Sequence, residues 1–218
     1  MKLIDWLLEL LFPTRCAFCH KLLREPGEKV CAKCRKTLPY VPGDAQRQSF
    51  VHLETVLSPL YYEGTVRESL IRFKFHSLTG YAGIYADFLT KCIDENGFFC
   101  DSITWVPVSR RRLRHRGYDQ ARLMAEALSE KLGVPCIRCL EKVRDNPPQS
   151  RSGGREARQR NVRNVYRAVD SAAFAGKTVL LVDDIVTTGS TLSEAAGVLQ
   201  KAGAAGIVGI TLARSRQV

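Results

Sequence analysis

Two adjacent carboxylates and a run of small hydroxylic residues are the part of this 218-residue chain best suited to chemistry: Asp183-Asp184-Ile185-Val186-Thr187-Thr188-Gly189-Ser190-Thr191. Thr178 to Val182, just before them, is a continuous apolar run, as expected of a strand buried on both faces of a parallel sheet. Asp183 and Asp184 would then stand at the carboxyl end of that strand, where ligands bind in open α/β sheets. The turn Thr187 to Thr191 can aim several backbone N–H groups inward, and Gly189 removes the steric bar to close approach. A helix is expected from Leu192 to Ala202. Its N-terminus adds partial positive charge, and Thr191 with Glu194 has capping-box spacing. Such a turn cradles a phosphate without Lys or Arg. The carboxylates repel phosphate; they suit two vicinal ribose hydroxyls, or support of a Mg²⁺ carried by a pyrophosphate. Phosphate on one side and a diol on the other describe a ribose 5-phosphate. A P-loop protein also has a strand ending in acids, but it needs G-x-x-x-x-G-K-[ST], which this sequence lacks.

Positive charge is concentrated nearby. The formal net charge is +11, and from Arg110 to Arg167 there are sixteen Lys/Arg against six Asp/Glu. That balance favours anionic partners: phosphorylated metabolites, nucleic acid or an anionic surface. Ser109 to Gly117 follows an expected strand and holds five arginines and a histidine. A turn of that kind can hold a pyrophosphate, because the guanidinium fork matches phosphate oxygens. Ser109, Arg110, Arg111, Arg112 and Arg116 are candidates, with Lys74 as a further phosphate ligand. Arg144 to Arg163 is polar, rich in Arg and Gly, and reads as a long loop that could close over a ligand or grip a nucleic-acid backbone.

Eight cysteines divide into two groups. Cys16, Cys19, Cys31 and Cys34 form C-x2-C-x11-C-x2-C, which suits a closed tetrahedral four-thiolate zinc site. A closed site implies a structural zinc, since no position is left for water. Cys92, Cys100, Cys136 and Cys139 read as free cysteines of the interior, and His20 as a surface residue.

The elements that must position these groups alternate. Strands are predicted at Val56 to Tyr62, Ile103 to Val108, Val134 to Leu140 and Ile207 to Ala213. Helices are predicted at Thr65 to Phe75, Tyr81 to Asp94 and Tyr118 to Leu132, the last ended by Gly133. This is an α/β pattern. Residues 1–45 read as an N-terminal helix plus the four-cysteine module, residues 46–218 as the α/β domain, and Pro39 to Asp44 as a linker. Leu3, Leu7, Leu8, Leu11 and Phe12 recur at helical spacing. Asp5 and Glu9 interrupt that stretch, which argues against a signal peptide, so the cytoplasm is the expected location. No segment has the apolar length of a membrane span.

Val179 to Thr191 resembles the signature of type I phosphoribosyltransferases for 5-phosphoribosyl-1-pyrophosphate (PRPP). The resemblance implies that Asp183 and Asp184 contact the ribose hydroxyls and that Thr187, Thr188, Gly189, Ser190 and Thr191 hold the 5-phosphate. Further segments narrow it. Val106-Pro107-Val108-Ser109 through Arg116-Gly117-Tyr118-Asp119-Gln120-Ala121, Phe73-Lys74-Phe75, and Leu-Leu-Phe-Pro followed by the Cys-x-x-Cys pairs resemble the ComF family, which is linked to natural DNA uptake. The resemblance spans essentially the whole chain. It implies a Rossmann-like parallel sheet flanked by helices and an N-terminal zinc module. Gln149, Arg158 and Asn161 match family positions, whereas Asp119 stands where Asn is common. Two functions follow as expectations. One is Mg²⁺-dependent transfer of phosphoribosyl from PRPP to an unidentified acceptor. The other is a non-catalytic accessory role in competence, with single-stranded DNA and DNA-processing proteins as partners of the arginine-rich face.

Overall fold

The computed structural model describes residues 14–23, 25, 27–144 and 165–216. The expected N-terminal helix and most of the expected loop, with Gln149, Arg158 and Asn161, lie outside them.

A mixed sheet forms the centre. Its order is β1 (Arg47–Phe50), β2 (Leu53–Leu57), β8 (Gly206–Arg214), β7 (Thr178–Val186) and β4 (Ser102–Trp105), with β3 (Leu60–Tyr61) also on β8. The β1–β2 pair is antiparallel and the other pairings are parallel. The predicted strand from Val56 to Tyr62 is thus two pieces on one neighbour. Ser58-Pro59 separates them, and proline has no N–H for a ladder.

The continuous apolar run in β7 is explained by burial on both faces. Leu180 and Val182 join one core with helices α2 (Gly64–Phe75), α3 (Tyr81–Asn96) and α5 (Gln120–Leu132). Val179 and Leu181 join the other, with α6 (Ser190–Lys201) and Phe174. Successive strand residues point to opposite faces, so one strand feeds both cores. Helix α5 ends at Gly133 in a left-handed conformation (φ 67°), as predicted.

Three expectations are corrected. Pro39 to Asp44 is no free linker: Val41 is buried, its N–H donates to Pro59 O at 2.8 Å, and Tyr40 pairs with Leu60. Val134 to Leu140 is not a strand. The chain makes one bridge, Ile103 with Cys136, and then Cys139 N–H turns to the Thr104 hydroxyl at 3.2 Å. Strand β5 (Leu140–Lys142) leads into a separate antiparallel pair with β6 (Tyr166–Ala168). The arginine segment is not a turn. It is a short helix, α4 (Arg110–Arg116), capped by the Ser109 hydroxyl and closed by Gly117 (φ 81°).

The four-cysteine segment packs into the first core. Phe18 is fully buried against Tyr85 and Phe88 of α3. The Ser69 hydroxyl of α2 donates to Ala17 O at 2.6 Å, and Arg72 reaches Phe18 O. Helix α1 (Ala32–Thr37) carries Cys34. Among the described residues no helix is long and apolar enough to cross a membrane.

Candidate functional site

Strand β7 runs past the acids. Asp183 pairs with Thr211, and pairing continues to Val186 with Arg214, so the carboxylates project from the last ordered turns of the sheet rather than from a loop. Asp184 is buried. Lys74, in the last turn of α2, meets its Oδ2 at 2.7 Å, and Gln120 Nε2 donates to the same oxygen at 3.2 Å. Arg116 Nη1 in turn donates to Gln120 Oε1 at 2.9 Å. Lys74, Arg116 and Asp184, far apart in sequence, therefore form one connected set. Asp183 differs from its neighbour: its Oδ1 accepts the Asp184 N–H at 2.8 Å. Burial, followed by the charge of Asp184, pushes the Asp183 carboxyl up to about 8.

Behind the acids, Thr187 and Thr188 are exposed, Gly189 is buried, and α6 begins at Ser190. Thr188 Oγ1 and Ser190 Oγ lie 2.9 Å apart. Gly189 sits at φ 71°, and a Cβ there would overlap the ring of Phe50 from β1. Two constraints thus require glycine: the left-handed backbone and the aromatic ring stacked on it. The capping box is absent. Glu194 Oε1 instead accepts the Val165 N–H at 2.8 Å, which ties α6 to the chain entering β6.

The arginines divide. Arg116 is half-buried beneath Phe75, 5.0 Å from its ring centroid, and burial lowers its pKa. Arg110, Arg111 and Arg112 are exposed on α4. Sequence reasoning gave no role to Asp119 and Gln120. Asp119 caps α5 through Ala121 N–H and Arg122 N–H, and its other oxygen accepts Val108 N–H at 2.9 Å. This buried carboxylate fixes the segment between β4 and α4. Its signal was an acid directly before a helix-forming run. Phe50 left none, because it enters from β1.

The four cysteine sulfurs lie within 4.8 Å of one another, with Cys19 Sγ and Cys31 Sγ 3.8 Å apart. A tetrahedral site with Zn–S bonds of about 2.3 Å sets its sulfurs roughly 3.8 Å apart, so the residues fit zinc. Backbone N–H groups of Cys31 and Cys34 point at Cys16 Sγ and Cys31 Sγ, each at 3.4 Å. Burial alone would raise the Cys16 thiol, but N–H groups from Cys31, Cys19 and Phe18 outweigh it and bring the group to about 7. His20 is not in the cluster. Of the remaining cysteines, Cys92 and Cys139 are buried, while Cys100 and Cys136 are partly exposed.

Known proteins agree with both parts. The family described as phosphoribosyl transferase domain matches residues 119–217, and the double zinc ribbon domain matches residues 7–45. "Competence protein ComFC" of Bacillus subtilis is 27% identical over 241 residues, covering 98% of this chain and 96% of that protein. Over nearly its whole length the chain is similar to this ComF-type competence protein. A second ComF relative, "Competence protein F" of Haemophilus influenzae, is 36% identical over 104 residues, covering 47% of this chain and 45% of that protein. Among solved structures, adenine phosphoribosyltransferase from Saccharomyces cerevisiae is 18% identical with a TM-score of 0.40, covering 68% of this chain and 74% of that one. The phosphoribosyl transferase domain match gives the α/β part a type I phosphoribosyltransferase fold, and the zinc ribbon match with the four-cysteine cluster supports a structural zinc.

Proposed function

We propose that this protein binds PRPP, or a related ribose phosphate, at the end of β7. The observation that carries the proposal is the carboxylate pair beside a glycine turn that opens a helix, with Lys74 placed 2.7 Å from Asp184. Asp183 and Asp184 accept hydrogen bonds from the ribose hydroxyls. Thr187 to Thr191 surround the 5-phosphate at the α6 N-terminus. Lys74, Ser109, Arg116 and the exposed Arg110 to Arg112 face the pyrophosphate. Asp183 and Asp184 would also support a Mg²⁺ carried by the pyrophosphate, whose charge stabilises the leaving group; a hard divalent cation fits a pair of carboxylates.

The reaction served by this arrangement is displacement at the anomeric carbon. An acceptor lone pair forms the new bond there, and the bond to the pyrophosphate oxygen breaks with its electrons leaving on pyrophosphate. Lys74 and the arginines neutralise the developing charge, and holding the ribose by two carboxylates fixes the carbon for in-line attack. The acceptor is not identified by these residues.

Calorimetry with PRPP and Mg²⁺ tests the site. Saturable binding is expected, with a loss of roughly tenfold or more when Asp183→Asn and Asp184→Asn are combined, since each removes a charge-assisted hydrogen bond. Absence of binding by the wild-type chain, or equal binding by the double variant, rules the site out.

One observation favours a second role. Four arginines of α4 are exposed (Arg110, Arg111, Arg112 and Arg114), and an exposed cationic cluster suits a nucleic-acid backbone. The accompanying measurement is single-stranded DNA affinity against salt. A steep fall is expected, reduced in slope when Arg111 and Arg112 become Gln; a flat response excludes backbone binding.

A further inference from the structure

A cavity lies beside the end of β4. It has a volume of about 1000 Å³, large enough for a metabolite; none of its lining comes from β7 or from the Thr187 to Thr191 turn, and Arg110 is the one residue it shares with the proposed PRPP contacts. Trp105, at the end of β4, forms one wall. The Arg122 guanidinium lies over its indole, 5.7 Å from the ring centroid, and both line the cavity.

The charge of the lining is unbalanced. Arg110, Arg122, Arg138, Lys142, Arg144 and Arg167 contribute six cations, against three carboxylates. Each carboxylate is already engaged. Asp119 accepts backbone N–H groups. Glu126 holds Arg122 at 2.7 Å. Glu141 receives Arg167 Nε at 2.7 Å and Arg138 at 3.6 Å. Arg110 and Arg144 have no ion-pair or hydrogen-bond partner among the described residues. A concave surface with uncompensated like charge concentrates anions. An indole with a guanidinium over it is a cationic aromatic surface, and such surfaces take the face of an electron-rich heteroaromatic ring.

We infer that this cavity is a nucleotide site, separate from the ribose-phosphate loop: the base stacks on the Trp105–Arg122 platform and the phosphate meets Arg144 and Arg138. The ligand chemistry, an aromatic base carrying a phosphate, is shared by a free mononucleotide and by one unit of a single strand.

Trp105 reports on its own site. The sequence has one other tryptophan, Trp6, so Trp6→Phe leaves a single emitter in the full-length protein. Titration with AMP should quench Trp105 saturably, and inorganic phosphate should not. Arg138→Gln with Arg144→Gln, both exposed positions, should weaken AMP at least roughly tenfold, the scale of losing charge-assisted phosphate contacts. Asp183→Asn should leave the titration unchanged, which separates this site from the PRPP site whether or not that one binds. Hexathymidylate binding more than tenfold tighter than AMP assigns the site to a strand; equal or weaker binding assigns it to a free nucleotide. The inference is overturned by absence of saturable quenching at millimolar AMP. It is also overturned by equal quenching with phosphate, by unchanged affinity in the arginine variant, or by loss in Asp183→Asn.

Discussion

At the scale of single residues, Asp183 is a carboxyl held against its preferred charge. Its carboxyl is raised by burial and by Asp184, so ionising it in the ligand-free fold is unfavourable. In the unfolded chain the group titrates at about 3.9. The sign follows from linkage: a group whose folded pKa is raised contributes stability that is full below about pH 4 and is lost as pH rises through about 8. Ligand-free protein should therefore become less stable across that window. Asp183→Asn should flatten the dependence and raise the melting temperature at pH 7 by a few degrees, at roughly 2–4 °C per kcal/mol for a chain of this size, while weakening PRPP binding. Thermal unfolding from pH 4 to 8 checks both; a melting temperature lowered by the substitution refutes the assignment. Gly189→Ala meets two obstacles, a left-handed backbone and the Phe50 ring, and should cost about 2 kcal/mol with loss of ribose-phosphate affinity. Urea unfolding measures the first and calorimetry the second. The acids and the glycine were legible in the sequence because their types are chemically narrow. Phe50 was not, because its contact is made by a hairpin more than a hundred residues away.

At the scale of elements, β7 was the most legible piece, since burial on both faces writes itself as an unbroken apolar run. The helices α2, α3, α5 and α6 were placed within two residues of their ends. What local pattern could not show was competition. The arginine run forms a helix because Ser109 and Gly117 supply both caps, a signal masked by six basic residues around a single leucine. The apolar stretch at Val134 failed as a strand because Ile103 is its one partner. Asp119 joins two elements: it caps α5 and holds the chain that enters α4. Asp119→Ala should destabilise by about 1–2 kcal/mol through loss of the cap, and by more if the Val108 N–H is left unpaired. Asp119→Asn keeps one acceptor oxygen and should recover part of the loss. A denaturant series on the two variants decides; equal stability of all three proteins contradicts the capping role.

At the scale of the whole molecule, the sequence divides at the cysteines, but the core does not. Phe18, Cys16 and Cys34 lie in the same cluster as Tyr85, Leu89 and Leu180. Removal of zinc should thus lower the melting temperature of the entire fold in one transition rather than release a separate N-terminal unit. Calorimetry before and after chelation tests this, and an unchanged main transition contradicts it. Helix α2 has a further consequence. Ser69 and Arg72 grip the cysteine module, and Lys74, in the same last turn as Arg72, reaches Asp184. Metal and ribose phosphate would therefore lean on neighbouring residues of one helix. Free energies of that kind are reciprocal: whatever factor the metal adds to ligand affinity, the ligand adds to metal retention. On the proposed reading, loss of zinc would weaken PRPP binding, and bound PRPP would slow the escape of zinc.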